Sequence, residues 1–193
     1  MSPGWSPDSN PPAPSDRTVA LVVAPIDASG EWFRHVPHGA DPRSRPRPPS
    51  DSRWQRGSVI DALYLADNEQ TVWAEWYRHL AELGVPPMQQ LPRDLWRVRV
   101  PALEVADLSD EDRLQRVGLP LPRPGRTAWP RFQSVGEALW REGWPGFIAP
   151  SAARPEGRVL CLFASDPMSL PAEPVPPPEI VIEPPAPPLG MRT

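Results

Sequence analysis

With 193 residues, 39 % of them apolar and 23 % charged, the chain is long enough for one domain with a sizeable core. A formal net charge of −4 gives no general attraction to nucleic acid or acidic membranes. The single cysteine, Cys161, excludes an internal disulfide and fits a buried, reduced thiol in a cytoplasmic protein.

Proline, at 32 residues, is far above ordinary usage and unevenly spread, and no lysine occurs. Residues 1–16 and 169–193 are proline-rich and poor in core-forming side chains, so both are expected to be disordered, solvated tails around one domain at 17–168. Within the second tail, the EIVIE run has the pattern of an edge strand. The polar start shows no leader, and TVALVVA is too short to span a bilayer. A soluble protein is therefore expected.

In chain order, Thr18–Val23 and Trp32–Val36 are predicted strands around a Pro25–Gly30 turn. HGADPRSRPRPPS, from His38, is a loop without hydrophobic period, and Ser58–Ala66 returns to a strand. Asp67 or Asn68 caps a helix ending at Leu83 before Gly84, with Val72, Trp73, Trp76, Leu80 and Leu83 on its core stripe. Glu75 sits at the edge of that stripe, placed toward a cleft. Leu95–Val100 and Leu103–Leu108 are predicted strands, and SDEDRLQRVGL from Ser109 a short helix. Trp129–Arg141 is a helix with Pro130 in its first turn; Phe147–Pro150 and Val159–Phe163 are strands joined through Ser151. Trp73, Trp76, Trp140 and Trp144 are assigned to the core. Without βαβ alternation, this order predicts an α+β domain with a small, mainly antiparallel sheet flanked by helices.

Candidate chemistry concentrates in SRWQRGSVIDALYLADNEQTVWAEWYRHL, from Ser52, and GFIAPSAARPEGRVLCLF, from Gly146. An arginine, an aromatic ring, a carboxylate and a hydroxyl at the ends of core elements suit an anionic, ribose-bearing ligand. Three histidines without ligand spacing and one cysteine leave no metal site, and there is no GxGxxG, Walker loop or GxSxG.

The motifs FRHVP at Arg34, SRW at Arg53, LYLA at Tyr64, the Glu75 helix, VADL at Asp107, FQSVGEAL at Gln133 and PSA at Ser151 together resemble the RES-domain family across Glu31–Phe163. Asp51 and Ser52 stand where that family usually has glycines, and Gln55 where it has asparagine, which puts side chains where a backbone would approach a ligand. The resemblance implies a bacterial, ADP-ribosyltransferase-like enzyme that cleaves the nicotinamide–ribose bond of NAD. NAD is then substrate, with no cofactor. In that reading Arg34 and Arg53 grip pyrophosphate, Tyr64 packs at the nicotinamide or its ribose, Glu75 stabilises oxocarbenium-like charge, and Ser151 bonds the carboxamide or ribose. It also implies the toxin half of a toxin–antitoxin pair with an Xre-type antitoxin as partner, without direct contact to nucleic acid or membrane. Water, phosphate or a protein side chain remain open as acceptor. A protein ADP-ribosyltransferase and a non-catalytic binding module are the alternatives.

Overall fold

Alternation along the strands builds the molecule around a sheet with two buried faces. In the computed structural model, which describes residues 21–164 and 170–193, the strands are β1 Pro25–Asp27, β2 Gly30–Pro37, β3 Ala62–Ala66, β4 Arg93–Val100, β5 Glu104–Asp107, β6 Gly146–Pro150, β7 Arg158–Phe163 and β8 Glu173–Val181. The helices are α1 Glu69–Leu83, α2 Glu111–Arg116 and α3 Trp129–Arg141. The sheet order is β1-β5-β6-β7-β3-β2-β4-β8, antiparallel except for the parallel β5–β6 pair. The α+β class holds, but with eight strands the sheet is not small.

Successive strand residues point to opposite faces. Ala62, Phe147, Ala149, Cys161 and Phe163 join Trp54, Phe132, Val135 and Leu139 in one cluster, beneath α2 and α3. Their neighbours Leu63, Leu65, Ile148, Leu160 and Leu162 fall in a second cluster with Trp32, Val98 and Val100. The α1 stripe of Val72, Trp73, Trp76 and Leu80 closes a third with Ala66 and Leu95. Leu83, assigned to that stripe, is half exposed, as is Trp140 on α3 to a lesser degree.

α1 begins and ends on local chemistry. The Asn68 side chain accepts from the Thr71 N–H, and Gly84 takes φ 65°, the left-handed conformation that glycine adopts without a Cβ clash. α1 is the longest of the three helices, and no described helix is long and apolar enough to cross a membrane.

Three expectations fail in instructive ways. Residues 170–193 are not a solvated tail: β8 adds to the sheet along β4, with Ile180 opposite Asp94 and Val181 opposite Arg93. Proline survives there because β8 is the outermost strand and one side needs no ladder donors. The first described strand is Pro25–Asp27, where a turn was expected, because β5 recruits it in the register Pro25–Ala106. Of the strand expected at Thr18–Val23, Leu21–Val23 are not in a strand and the rest lies outside the described residues. Leu21 and Val23 still pack on the first cluster, while Val22 points out. Residues 57–59 form a turn, and β3 starts only at Ala62. The proposed tail at 1–16 lies outside the described residues.

Candidate active site

β2 and β3 pair only at Phe33 and Ala66, whereas β3 pairs with β7 over five residues. Where β2 and β3 part, a cavity of about 410 Å³ is lined by β2, β3, α1, the 45–55 loop, Pro150 and Ala152. Four arginines, Arg34, Arg45, Arg53 and Arg78, face it against two carboxylates, Glu75 and Asp61. The lining therefore favours an anion.

Arg34 spans the gap between the strands. One guanidinium nitrogen donates to the Tyr64 carbonyl at 3.4 Å, and another to the Ser44 carbonyl at 2.7 Å. Burial, and to a smaller extent Arg45, pushes its pKa down to about 10, so it remains a cation at neutral pH. Arg53 is also buried and is held over the Phe132 ring at 5.5 Å. Burial and the nearby Arg78 lower its pKa to about 10 as well, and Glu75 and Glu82 oppose that shift. Its Nη2 has no hydrogen-bond partner among the described residues. A buried, unsatisfied guanidinium nitrogen costs free energy unless an incoming acceptor satisfies it.

The loop carrying Arg53 is built from both sides. Trp54 is driven between Phe132 and Phe147, at ring distances of 4.8 and 4.7 Å. Gln133 on α3 donates to the Ser52 and Gln55 carbonyls at 2.9 and 3.3 Å. Gly136 lets α3 approach so closely that a Cβ there would lie 2.2 Å from the Trp54 carbonyl oxygen. The three residues that depart from the RES pattern each make a bond inside this region. Asp51 accepts from the Gly57 N–H at 2.8 Å, Gln55 donates to the Ser50 carbonyl at 3.0 Å, and Ser52 shares a 2.8 Å bond with the Tyr64 hydroxyl. The loop is closed by side chains instead of by glycine conformation.

Glu75 projects from α1 and receives four donors. Its Oε1 accepts from the Ser151 hydroxyl at 2.6 Å and from the Ala152 and Ala153 N–H groups at 3.0 and 3.3 Å. Its Oε2 accepts from Arg78 Nε at 2.9 Å. Ser151 in turn accepts from the Ala153 and Arg154 N–H groups at 3.1 and 3.0 Å. Ser151 is buried and does not line the cavity, unlike Pro150 and Ala152 on either side of it. The hydroxyl assigned to the ligand is thus spent on orienting Glu75. Tyr64 lines the cavity, and burial raises its pKa well above the usual 10. It is therefore a neutral hydrogen-bonding group.

Arg34, Arg53, Tyr64 and Glu75 all face one cavity, with Ser151 one bond behind. Among the charged lining residues, Arg78, Arg45 and Asp61 were not foreseen. Arg78 bridges Glu75 and Glu82, and the spacing Glu75, Arg78, Glu82 was a readable signal, since residues three and four apart share a helix face. Arg45, nearly buried and paired with Asp61 at 2.8 Å, comes from an aperiodic loop that offered none.

A family model described as "RES domain" matches residues 30–183. The chain belongs to the RES domain family. It is 30 % identical over 124 residues to a Mycobacterium tuberculosis protein named "Probable NAD(+) phosphorylase Rv3189", covering 64 % of this chain and 56 % of that protein. The chain thus spans little more than half of that relative's length. Among solved structures, a chain from the crystal structure of the M. tuberculosis MbcT–MbcA toxin–antitoxin complex superposes with a TM-score of 0.69. That match has 22 % sequence identity and covers 82 % of this chain and 87 % of the other. At that identity the likeness concerns the RES fold. Among the described residues, no group of three histidine, cysteine or acidic side chains is placed to hold a metal ion.

Proposed function

We propose that this RES domain cleaves the bond between nicotinamide and ribose in NAD. The observation that carries the reading is Glu75, fixed by four donors on the wall of an arginine-lined cavity. Loss of nicotinamide develops oxocarbenium-like charge on the ribose, and a carboxylate that is already oriented stabilises it without reorganisation. Arg34 and Arg53 take the pyrophosphate, for which the free Nη2 of Arg53 is an available donor. Tyr64, neutral and tied to Ser52, lies against the nicotinamide end. Ser151 acts through Glu75.

Phosphate is the acceptor this reading favours over water, in keeping with the name of the mycobacterial relative. The protein is the NAD-depleting toxin of a toxin–antitoxin pair, acting in the bacterial cytoplasm and restrained by an Xre-type antitoxin that covers the cavity. The toxin–antitoxin complex among the structural relatives supports the pairing. The test is incubation of the purified full chain with NAD, with and without inorganic phosphate, measuring nicotinamide. Release that requires phosphate is expected. Release without phosphate makes water the acceptor, and no release in either case defeats the proposal.

A further inference from the structure

Residues 184–193 follow the stretch that matches the family, and they return to the site. Beyond β8 the chain passes α1, where the Tyr77 hydroxyl donates to the Pro185 carbonyl. Pro188 is buried, and the Arg192 backbone N–H then donates to the Ala153 carbonyl at 2.6 Å. Ala153 is fully buried, and its own N–H faces Glu75 Oε1 and Ser151 Oγ. One residue thus carries Glu75 on its amide side and the returning segment on its carbonyl side.

We propose that residues 184–193 are a positioning strap for Glu75, acting through the Ser151–Ala153 turn, with the Arg192 main chain as its working contact. The role rests on Glu75 being the charge-stabilising carboxylate. The turn offers little side-chain bulk with which to hold itself, since Ala152 and Ala153 end at Cβ. Its other main-chain ties, Ser151 N–H to the Gly157 carbonyl at 2.8 Å and Gly157 N–H to the Arg154 carbonyl at 3.0 Å, leave the Ala153 carbonyl to Arg192. Pro184, Pro185, Pro187 and Pro188 suit a strap, because each fixes φ and lowers the entropy lost on ordering.

The experiment compares Arg192→Pro, which deletes the N–H, with Arg192→Ala, which keeps it, in the full chain. In Arg192→Pro, kcat for NAD consumption is expected to fall about tenfold, the worth of one hydrogen bond, with KM within about twofold. Amide exchange at Ala152 and Ala153 should accelerate by a similar factor, while Arg192→Ala changes neither. Tyr77→Phe, which loosens the strap without touching the turn, should give the same pattern more weakly. Wild-type turnover and amide exchange in Arg192→Pro would overturn the strap. Equal damage from Arg192→Ala, or a fall in melting temperature that accounts for the exchange, would overturn it too. If the wild-type chain consumes no NAD, the functional reading fails by itself and the amide exchange still decides the strap.

Discussion

In the proposed mechanism Glu75 supplies charge and Ser151, which donates to it, supplies orientation. Glu75→Gln removes the charge and keeps the shape, so turnover should drop by about a hundredfold or more while circular dichroism stays unchanged. Ser151→Ala leaves Oε1 the Ala152 and Ala153 N–H groups and should cost only about tenfold in kcat, with KM nearly constant. Nicotinamide release by the two variants checks the ranking; a larger loss in Ser151→Ala would make Ser151, not Glu75, the principal group. If Arg53 holds the pyrophosphate as proposed, Arg53→Ala should instead raise KM for NAD more than it lowers kcat, because that grip would act in ground and transition states alike. Arg34→Ala should do the same and also lower the melting temperature, since the Tyr64 and Ser44 carbonyls each lose a donor.

α3 acts on the cavity without facing it. It meets the Arg53 loop at the Trp54 carbonyl, where Gly136 leaves no room for a methyl group. Gly136→Ala must shift backbone against backbone, and should cost about 1–3 kcal/mol of stability, as overpacked cores do. Because the loop it displaces carries Arg53, KM for NAD should rise in parallel. Denaturant melts and steady-state kinetics on the same preparation check both. Wild-type stability and KM in Gly136→Ala would mean that the loop does not rest on α3.

At the scale of the whole molecule, the packing between β2 and α1 makes stability depend on pH. His35 stacks on Trp73 at 5.4 Å and accepts from Arg93 Nε at 2.7 Å. Burial holds its pKa well below the usual 6.5, and Arg93, Arg34 and His79 push the same way. As pH falls through about 6.5 the unfolded chain binds a proton that the folded chain refuses, so stability is flat above that point and declines below it. His79, also shifted down, adds to the same loss. Melting temperatures measured at pH 8, 6 and 5 should decline over both steps, and His35→Gln should flatten the decline. In cells, expression of the chain alone should arrest growth and lower NAD together, and Glu75→Gln should relieve both.

What the amino-acid order determined was everything carried by local signals. α1 was readable from the Asn68 cap to Gly84 because its cap, its period and its left-handed stop act within a few residues. Trp129–Arg141 was legible for the same reason, and the motifs around Arg34, Arg53, Tyr64 and Glu75 picked out four residues that face one cavity. Only the tertiary structure decided what those residues touch. Ser151 reaches Glu75 across 76 positions, and no local pattern encodes that its hydroxyl faces a carboxylate rather than a ligand. β1 and β8 depend on partner strands far away in the chain, so a PID tripeptide carried no strand signal of its own, and of the proline-rich run only EIVIE did. The last residues looked like a solvated tail because composition records what a segment can bury, not the carbonyl that waits for its N–H.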